Sequence, residues 1–592
     1  MGIGEEAVSL QAGGESPRYH PASRPNISIR PRTTIVYKAL IEKGAEPCVA
    51  DMFARRFSDP NAATESFRSS LGMLANVEQM KDADAAASMI SDIILNEGRI
   101  AFCTDYDSDG CSSAAVIMRF AREGGFDDLI RIFTPNRFAD GYGINPNIVE
   151  DAAAWGADAI VTADNGIAAF PAAERARELE IPLIVTDHHL PPEELPPATL
   201  IVNPMRKDCG YQNRVICGAT VIFLVLSLVK KKLVAAGYEQ AGRIDMRRML
   251  QIVGAATVAD CVPMVGVNRA IVRVGLEMLR KDPYPGYKAF IEATGIDPAQ
   301  VDEESIGYKI GPAINASSRL GDAAPSIDFL CEDNPDKAKQ HALALSRLNE
   351  QRKEVQADVL TKAEKAAESF IEHYPDCPIL FLGDADWHQG VVGIIAGRIA
   401  EKMRRPAFVF GGDTNDPNIL KGSGRSGDAN LHLKDFLDRL AERAPDAILG
   451  YGGHAKAAGL TIRKDALPFI VGEAVSLCLT EDIGSAPYPV DVHVHGTLSA
   501  EQVEFVFGWL KCAPFGPGFE TPRIALTTTV TPDRFVGTGS VRFRISGLDA
   551  IAFGYAELVR DIAGATRTFI LRPSFNYFRG TIKRQFYVEA IL

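Results

Sequence analysis

Hydrophobic and polar positions along this chain fall into blocks that predict strands followed by helices. Four short apolar runs are typical of buried strands. They lie at residues 100–104, 129–134, 159–162 and 183–186. Segments with helical spacing stand between them, including 112–123 and 171–180. Because strands that alternate with helices form parallel sheets with right-handed crossovers, we predict an α/β domain here.

A long helix and a second α/β unit are predicted further along. Residues 337–373 contain neither Pro nor Gly, and they are rich in Ala, Leu, Glu and Lys. This segment predicts a helix of roughly 55 Å, at 1.5 Å per residue. Strand, helix and strand patterns follow it at 379–382, 391–402 and 407–410. We expect the helix to join the two α/β units and to hold them apart.

From about residue 486 the pattern changes to short β-rich runs, which predict a small barrel or sandwich. Residues 486–592 hold 16 aromatic residues, with 11 Lys and Arg against 9 Asp and Glu. Such a surface suits single-stranded nucleic acid, because bases stack on rings while basic groups follow phosphates. We expect truncation before about residue 486 to weaken strand binding and to spare the active centre. The alternative is that the aromatics are barrel core and that this segment is a structural prop.

The predicted domain organisation therefore has five parts. Residues 1–33 carry Gly, Ser, Pro and Arg without a hydrophobic period, and we expect a disordered tail. The other parts are a catalytic α/β domain at 34–280, a connecting helical region with the long helix at 281–375, a substrate-binding α/β domain at 376–480, and a nucleic-acid-binding barrel at 486–592.

Composition narrows the class of protein. The chain is 46% hydrophobic and 23% charged, which excludes disorder, collagen and coiled coil for most of its length. A net charge of −13 excludes a globally basic coat. Ten scattered Cys without a C-x-x-C pair argue against a zinc ribbon or a disulfide framework, and suit a reducing compartment. The most apolar run, residues 221–229, is too short to span a bilayer, and we expect a cytoplasmic protein without an export signal.

Four clusters of Asp and His follow predicted strands or a helix. They are Asp105, Asp107 and Asp109 in DYDSDG, Asp164 in ADNG, Asp187, His188 and His189 in TDHH, and Asp260 in VADCVP. Because the loops at the carboxyl ends of parallel strands converge on one crevice, these residues can share one site. Crowded carboxylates repel one another unless cations bind between them.

The ligand types point to hard divalent cations. Many carboxylates with one imidazole suit Mn²⁺ or Mg²⁺ better than structural zinc. There are enough ligands for two ions about 3.5–4 Å apart, the spacing used for in-line phosphoryl displacement, and Asp164 is the best candidate to bridge them. A single Asp after a strand is more often a turn or cap residue. The four clusters together favour a metal centre.

A second set of polar residues is predicted to bind phosphate. Ser423, Arg425 and Ser426 fall in the Gly-punctuated segment GSGRSG, which we interpret as a loop whose backbone can approach an anion. The Arg guanidinium offers a bidentate fork to phosphate. Gly453 and His454 in GGHAKAAG are expected to contact substrate as well.

Six motifs stand in a fixed order: DYDSDG, ADNG, TDHH, VADCVP, GSGRSG and GGHAKAAG. Four further segments accompany them: TPNRFADGYG at 134–143, GPAINASSRL at 311–320, WHQGVVGIIAGR at 387–398 and APFGPGFETP at 513–522. From about residue 70 onwards this series resembles the RecJ family of the DHH phosphoesterase superfamily. The resemblance implies a DHH catalytic domain, a DHH-associated domain and a barrel of oligonucleotide-binding (OB) type. The activity that it implies is 5′→3′ degradation of single-stranded DNA to 5′-mononucleotides, in DNA repair and recombination.

The resemblance also implies a role for each candidate residue. One ion would be held by Asp105, Asp107 and Asp164. The other would be held by Asp109, Asp164, His188 and Asp260. His189 would contact the scissile phosphate, and Arg319 would bind phosphate. Asp164 and His189 are the candidate catalytic residues. Arg137 could meet the 5′-terminal phosphate, with a solvated loop arginine as the alternative. The chain departs from the commonest family pattern by DSDG in place of DADG and by NASSR in place of NAAGR, but it keeps Arg319.

The sequence therefore predicts an exonuclease with two Mn²⁺ or Mg²⁺ ions, in which the 5′ end threads between the two α/β domains. The family resemblance suggests single-stranded DNA, a single-strand-binding protein and a repair helicase as partners of a monomer. One alternative is another DHH phosphodiesterase acting on short oligonucleotides, cyclic dinucleotides or pyrophosphate, although such chains usually lack the barrel. A second is an inactive DHH scaffold, which should have lost ligands. A nucleotide-binding Rossmann protein is disfavoured because residues 393–397 lack the G-x-G start.

Overall fold

A computed structural model describes residues 27–375, 377–427, 429, 431–478, 487–537, 539–578 and 581–592. The chain forms two compact units. The larger unit comprises Ile29–Asn349 and Pro489–Leu592, and the smaller unit comprises Glu350–Tyr488 with residues 27 and 28. The smaller unit is thus inserted, along the sequence, between two parts of the larger one.

The first part of the larger unit contains strands β1 (Ile27–Ile29), β2 (Ile100–Thr104), β3 (Ile130–Phe133), β4 (Ala159–Ala163), β5 (Leu183–Thr186) and β6 (Leu200–Val202). Its helices are α1 (Thr34–Glu42), α2 (Pro47–Ala54), α3 (Pro60–Phe67), α4 (Ala83–Leu95), α5 (Ser108–Gly124), α6 (Pro146–Trp155), α7 (Phe170–Glu178), α8 (Gly218–Ala235), α9 (Met246–Ala259), α10 (Gly266–Lys281), α11 (Pro285–Ala293), α12 (Glu303–Ser305), α13 (Gly311–Leu320), α14 (Ala324–Cys331) and α15 (Pro335–His373). A π-helical segment, Ile306–Ile310, joins α12 to α13.

The central sheet of this part is parallel and has the strand order β3-β2-β4-β5-β6. Helices α6 and α7 cover one face through residues such as Ile148 and Ala173. Helices α4, α5 and α8 cover the other face. Because both faces are buried, the strands have the continuous apolar runs that made them visible in the sequence.

The predicted elements and the observed ones agree closely in this part. Strands β2 and β5 have the predicted bounds, and the long helix α15 starts two residues before its predicted start. Helix α5 begins at Ser108 rather than at 112, because Asp107 caps it and thereby brings Asp109 and Gly110 into its first turn. Most of the predicted disordered tail, residues 1–26, lies outside the described residues. Within the rest of it, Ile27–Ile29 forms β1, which pairs with a strand introduced below, Tyr488–Val490.

The smaller unit is a second α/β sandwich. Its strands are β7 (Leu380–His388), β8 (Ala407–Gly412), β9 (Ile419–Arg425), β10 (Ile448–Gly453) and β11 (Ala457–Arg463), and its helices are α16 (Val392–Met403), α17 (Leu433–Arg443) and α18 (Leu467–Cys478), besides the C-terminal part of α15. The strand order is β10-β11-β9-β8-β7, and only β7 and β8 run parallel. Separate hydrophobic clusters lie on the two faces of the sheet.

The segment GSGRSG was predicted to be a loop, and this is wrong for most of its length. Ser423 and Arg425 lie on strand β9. A Cβ at Gly422 would lie 2.4 Å from the ring of Phe410, and one at Gly424 would lie 2.3 Å from the ring of Phe408. The glycines therefore make room for two aromatic rings of β8, and they leave the intervening polar side chains on the other face of the sheet.

The C-terminal part of the larger unit is a β-domain. Its strands are β12 (Tyr488–Val490), β13 (Val492–His495), β14 (Ile524–Thr529), β15 (Pro532–Val536), β16 (Ser540–Ile545), β17 (Leu548–Phe553), β18 (Thr566–Phe578) and β19 (Thr581–Ile591), and its helices are α19 (Ala500–Gly508) and α20 (Ala556–Ile562). Seven of these strands form one sheet, in the order β13-β14-β18-β19-β17-β16-β15.

The β-domain shares its hydrophobic core with the α/β part of the larger unit. The ring centres of Phe53 and Phe519 lie 4.8 Å apart. The buried Arg269 guanidinium donates to the backbone carbonyls of Cys512 at 2.6 Å and Pro514 at 2.7 Å. These contacts favour the alternative that the C-terminal segment also supports its neighbour. Within the described ranges, no helix combines the length and the apolar character needed to cross a membrane.

Candidate metal centre

The acidic motifs meet at one edge of the parallel sheet. Asp105 directly follows β2, Asp164 follows β4 and Asp187 follows β5. These three strands are neighbours in the sheet, and all run in the same direction. Asp260 reaches the same edge from the C-terminal end of α9. The fold therefore brings together side chains that are up to 155 residues apart in the sequence.

Three overlapping groups of side chains have ligand atoms within 4.8 Å of one another. The groups are Asp105 with Asp107 and Asp164, Asp109 with His188 and Asp260, and Asp164 with His188 and His189. The Nε2 atom of His188 lies 3.1 Å from Oδ1 of Asp164. It also lies 3.8 Å from Oδ2 of both Asp109 and Asp260. The geometry thus assembles the residues predicted for two ions, with Asp164 near both sets, and it also brings His189 within ligand distance of Asp164.

The first turn of α5 is fixed by two side chains. Asp107 is the N-cap, and its Oδ1 accepts from the N–H groups of Asp109 at 2.9 Å and Gly110 at 3.1 Å. The remaining N–H of this turn, that of Ser108, donates to Oδ1 of Asn315 at 2.8 Å. Gly110 is required here, because a Cβ at this position would lie 2.2 Å from the carbonyl oxygen of Asp105.

Asp109 is held by the N-terminus of a different helix. Its two carboxylate oxygens accept from the backbone N–H groups of Gly218 at 2.6 Å and Ala219 at 2.9 Å, at the start of α8. A helix N-terminus stabilises a negative charge, so this contact orients the carboxylate. A Cβ at Gly218 would lie 2.5 Å from Cβ of Asp164, so only glycine fits there. Sequence reasoning missed Gly218, although it stands immediately before the apolar run of α8.

Burial and mutual repulsion disfavour the charged forms of these carboxylates. Burial raises the pKa of Asp164 well above its usual value, and the neighbouring charges of Asp109, Asp107 and Asp105 add to the shift. Burial likewise raises the pKa of Asp105, with Asp107 as the next cause. The pKa of Asp260 is raised to about 8 for the same reasons. Cations between these groups would remove the repulsion.

Several buried polar atoms in this cluster make no hydrogen bond within the protein. Oδ1 of Asp105, Oδ1 of Asp164 and Nε2 of His188 are all buried and make no hydrogen bond. Unpaired buried polar atoms are costly, and native proteins rarely leave them so. Several carboxylates and one imidazole form the donor set that Mn²⁺ and Mg²⁺ accept. The residues present therefore fit divalent ions.

His189 is oriented by a carboxylate to which the sequence analysis gave no role. Its Nδ1 lies 2.8 Å from Oδ1 of Asp187, which also accepts from the backbone N–H of His188 at 2.7 Å. The other carboxylate oxygen of Asp187 accepts from the N–H of Ile167 at 2.9 Å. Burial acts to raise the pKa of Asp187, but the hydrogen bond and charge of His189 bring it below the usual value. The Asp187 carboxylate thereby fixes the orientation of the imidazole and hence the position of its other nitrogen, Nε2.

Two tyrosines and Arg137 border the metal centre, and the charge of Arg319 reaches the same region. The guanidinium carbon of Arg137 lies 4.2 Å above the ring of Tyr106, and its buried Nε has no hydrogen-bond partner. Arg319, at the end of α13, is close enough for its charge to act on the same phenol. The hydroxyl of Tyr142 lies 3.3 Å from Nε2 of His189 and donates to the backbone carbonyl of Asp164 at 3.2 Å. Sequence reasoning did not select Tyr142, which belongs to the TPNRFADGYG segment.

The candidate phosphate ligands of the smaller unit lie on and beside β9. Arg425 donates to Oγ of Ser423 at 2.9 Å, and Ser426 is buried with its hydroxyl directed to the carbonyl of Gly427. Gly453 has a φ of +140°, and a Cβ there would lie 2.5 Å from the carbonyl oxygen of Ala457. His454 is exposed in the turn between β10 and β11. Ser423 and Arg425, two residues apart on β9, lie on the same sheet face.

Three known domain families match segments of this chain. The DHH family, N-terminal domain, matches residues 99–257. The DHHA1 domain matches residues 376–481, and the RecJ OB domain matches residues 494–590. The seven-stranded C-terminal sheet is therefore an OB domain, as predicted, and the predicted α/β fold class with a long helix is confirmed.

Known proteins with similar sequences match nearly the whole chain. The single-stranded-DNA-specific exonuclease RecJ of Salmonella typhimurium is 34% identical over 567 residues, which cover 92% of this chain and 96% of that protein. RecJ of Escherichia coli is 33% identical over 564 residues, with the same coverage.

Solved structures with the same fold were also found. RecJ of Thermus thermophilus in complex with Mn²⁺ matches 96% of this chain and 79% of its own, with a TM-score of 0.78 and 24% identity. An exonuclease RecJ bound to manganese matches 68% of this chain and 96% of its own, with a TM-score of 0.57 and 28% identity. With the matched domains, the ligand geometry and identities above 30% along almost its whole length, this chain belongs to the RecJ family of DHH phosphoesterases.

Proposed function

We propose that this protein is a metal-dependent exonuclease that degrades single-stranded DNA from the 5′ end and releases 5′-mononucleotides. The observation that carries this proposal is the convergence of buried ligand atoms of Asp105, Asp164 and His188 that make no hydrogen bond, in a chain of this family. A centre of this kind can hold the ions that phosphodiester hydrolysis uses. The proposed setting is DNA repair and recombination, which is where the family resemblance puts such an enzyme.

The protein would hold two Mn²⁺ or Mg²⁺ ions. One set of ligands would be Asp105, Asp107 and Asp164. The other would be Asp109, Asp164, His188 and Asp260, with Asp164 shared. When bound, the ions would supply Lewis-acid stabilisation of charge on the phosphate and would activate the attacking water. The protein itself contributes the carboxylates. The backbone N–H groups of Gly218 and Ala219 orient Asp109, while Asn315 accepts from the N–H of Ser108 at the start of α5.

His189 would act on the scissile phosphate. Asp187 holds Nδ1 of the imidazole, so the ring presents Nε2 on the side away from this carboxylate. A hydrogen bond from Nε2 to a phosphate oxygen would strengthen as negative charge develops there. The hydroxyl of Tyr142, 3.3 Å from Nε2, would further limit the rotation of the ring. A role as a third imidazole ligand is the alternative, since His189 lies within ligand distance of Asp164.

Arginine guanidinium groups would bind the phosphates of the DNA strand. The Arg137 guanidinium lies over the ring of Tyr106, the charge of Arg319 acts on the same phenol, and a guanidinium binds phosphate in a bidentate manner. In the smaller unit, Ser423, Arg425 and His454 would contact the terminal part of the strand. Gly393, at the start of α16, lies close to this pair, since a Cβ there would be 3.1 Å from Oγ of Ser423 and 3.3 Å from Nη2 of Arg425. The absence of a side chain at Gly393 would let an anion approach both groups.

The OB domain would bind the strand farther from the centre. On one sheet face, register places Arg542 of β16 opposite Ile551 of β17, and Ile551 opposite Tyr587 of β19. The ring of Phe553 is 62% exposed and lies 6.2 Å from that of Tyr587. The Arg572 guanidinium lies 4.8 Å from the Tyr587 ring centre. Rings and guanidiniums on one face are what single-strand binding uses.

A single-strand-binding protein, a repair helicase, a monomeric state and a cytoplasmic location stay predictions. Seven of the ten Cys are buried, and their scattered positions suit a reducing compartment. Pull-down of the purified protein with candidate partners and sedimentation equilibrium would test the partners and the monomer. Nothing found in the fold or among the similar proteins favours a short-oligonucleotide phosphodiesterase or an inactive scaffold.

The deciding experiment is the digestion of matched oligonucleotides labelled at the 5′ or the 3′ end. With Mn²⁺ or Mg²⁺, we expect a single strand to lose its 5′ label at once as a mononucleotide, while the 3′-labelled strand shortens progressively. Duplex DNA and reactions with chelator should stay intact. Early release of the 3′ label, internal cleavage, or equal digestion in chelator would contradict the proposal.

A further inference from the structure

We propose that Tyr308 is a stacking platform for one base of the single strand, between the metal centre and the OB domain; this inference rests on the proposed function. The Tyr308 side chain is 80% exposed, the largest exposed fraction among the large hydrophobic side chains in the described ranges. An aromatic face accepts any base, so it suits an enzyme that degrades strands without regard to sequence.

Tyr308 begins a stripe of accessible positions along one helical face. In the segment from the π-helix to the end of α13, the accessible positions include Tyr308, Pro312, Asn315 and Arg319, and most of the residues between them are buried. Their spacing of four, three and four residues is that of one face of a helix. Tyr308 and Asn315 are separated by two turns, which is roughly 10 Å along the axis.

One end of this stripe touches the metal centre. Asn315 accepts from the N–H of Ser108, directly after Asp107, at 2.8 Å. The charge of Arg319 acts on the phenol of Tyr106, which directly follows Asp105. A strand whose phosphate reaches Arg319 would therefore continue along this face.

The other end of the stripe touches the OB domain. Glu304, four residues before Tyr308, forms an ion pair with Arg572 of β18. Glu303 accepts from the backbone N–H of Phe515 at 2.8 Å. Because Arg572 in turn stacks against Tyr587 on the face proposed to bind DNA, Tyr308 stands between two regions that both contact the strand.

The backbone around Tyr308 is unusual in a way that agrees with such a role. Ile306–Ile310 is a π-helical turn, a conformation that occurs mostly as single turns at functional sites. Ile306 and Ile310 at its ends are buried, so the wide turn directs Tyr308 and Lys309 outward together. The Lys309 ammonium supplies a positive charge for the adjacent phosphate.

The test compares strand binding by wild type, Tyr308→Ala, Tyr308→Phe and Phe469→Ala. Phe469 is a matched control, since it is 53% exposed on α18 of the smaller unit. Anisotropy of a labelled strand of about 20 nucleotides, in chelator so that nothing is cleaved, measures Kd. We expect Tyr308→Ala to raise Kd about 5-fold or more, while Tyr308→Phe and Phe469→Ala stay near wild type. In a series of strands with 2-aminopurine at successive positions, quenching at one internal position should be lost in Tyr308→Ala only.

Cleavage assays separate this inference from the proposed function. With Mn²⁺, the KM of Tyr308→Ala for long strands should rise, while turnover of a dinucleotide should stay at the wild-type value. Circular dichroism should match wild type, because the removed ring is largely exposed. An unchanged Kd in Tyr308→Ala, or an equal defect in Tyr308→Phe, would overturn the stacking role. If wild type itself failed to degrade single strands, the proposed function would fail, whatever the variants bind.

Discussion

Asn315 and Ser108, 207 residues apart in the sequence, are joined by a hydrogen bond of 2.8 Å from the Ser108 backbone N–H to the Asn315 side-chain oxygen. Asp107 accepts from the next two N–H groups of the same turn. The two side chains together satisfy the start of α5, which carries Asp109. Asn315 is therefore a positioning residue for the carboxylates of the metal centre.

Replacing Asn315 by Ala should weaken metal binding. The Ser108 N–H would lose its acceptor and the first turn of α5 would loosen, so we expect about 10-fold weaker Mn²⁺ affinity or more, as for other residues that orient ligands. The Mn²⁺ dependence of cleavage, together with calorimetric Mn²⁺ titration, measures the effect. Ser318→Ala is the matched control on the same helix. Unchanged Mn²⁺ affinity in Asn315→Ala would show that the hydrogen bond does not position the ligands.

Asp164→Ala should abolish cleavage without harming the metal-free fold. The variant loses the carboxylate shared by both ligand sets, but it also removes a buried charge whose pKa is raised by burial and by its neighbours. In chelator, we expect a melting temperature equal to or above that of wild type, because fewer like charges are crowded together. Thermal melts and cleavage in Mn²⁺ test both parts, with the exposed Asp151→Ala as control. Substantial residual activity would exclude the shared-ligand role.

His188→Ala and His189→Ala should have different defects. Removal of His188 takes away a group within 3.8 Å of three carboxylates, so metal content should fall. Removal of His189 should leave metal content near normal and slow the chemical step, with a loss of about 2.7–4 kcal/mol by analogy with oxyanion donors. Asp187→Asn should resemble His189→Ala in a milder form. Elemental analysis and single-turnover rates distinguish these outcomes, and the reverse pattern would exchange the two roles.

Deletion of residues 489–592 should unfold the larger unit, contrary to the expectation drawn from the sequence alone. The deletion would expose Phe53, leave the Arg269 guanidinium without its two carbonyl partners, and remove the buried Asp491, which pairs with Arg56. We expect the truncated protein to lose both the circular dichroism signal of the folded larger unit and the turnover of a dinucleotide. Retained dinucleotide turnover in the truncated protein would instead restore the picture of a separable DNA-binding module.

The DNA contact of the OB domain is better isolated by Phe553→Ala. Phe553 is mostly exposed, so its loss should leave the melting temperature near wild type. We expect a higher KM on long strands, corresponding to about 1–3 kcal/mol for one stacked base, and little change on very short ones. Equal KM values of wild type and Phe553→Ala on long strands would show that the strand does not contact Phe553.

Glu303 should make stability depend on pH. Burial, assisted by the charges of Asp302 and Glu304, raises its pKa to about 7, whereas an unfolded chain titrates Glu near 4.3. The folded chain thus holds the Glu303 proton more tightly than the unfolded chain does. The contribution of this protonated carboxyl to the free energy of unfolding is full below about pH 4 and is lost as the pH rises through 7. Glu303→Gln cannot ionise at this position. In chelator, the melting temperature of the variant minus that of wild type should therefore increase as the pH rises from 5 to 8. A constant difference across this range would exclude ionisation of Glu303.

The metal centre could be predicted because its residues follow local rules. Asp105, Asp164 and Asp187 each stand directly after an apolar run, and parallel strands bring such positions to one edge. The strand bounds were visible because both faces of the sheet are buried. His188 could be selected because it stands next to Asp187 in the same motif.

Other parts of the site depend on contacts that no local pattern contains. Gly218 and Asn315 act on the metal centre from helices more than 100 residues away in the sequence. The position of Ser423 on a strand depends on the rings of Phe408 and Phe410 in the neighbouring strand, and glycine spacing alone suggested a loop. The role of the C-terminal segment as part of a shared core required the contact between Phe53 and Phe519.

The insertion of residues 350–488 between two parts of the larger unit has a consequence for synthesis on the ribosome. The unit that carries the metal centre cannot be completed until β19 has emerged, although the inserted unit can fold earlier. An incompletely synthesised polypeptide would therefore lack nuclease activity, so a DNA-degrading enzyme would stay inactive during its own translation. Ribosome-bound chains stalled after residue 488 should accordingly show no cleavage of single strands, and activity in such chains would disprove this order of assembly.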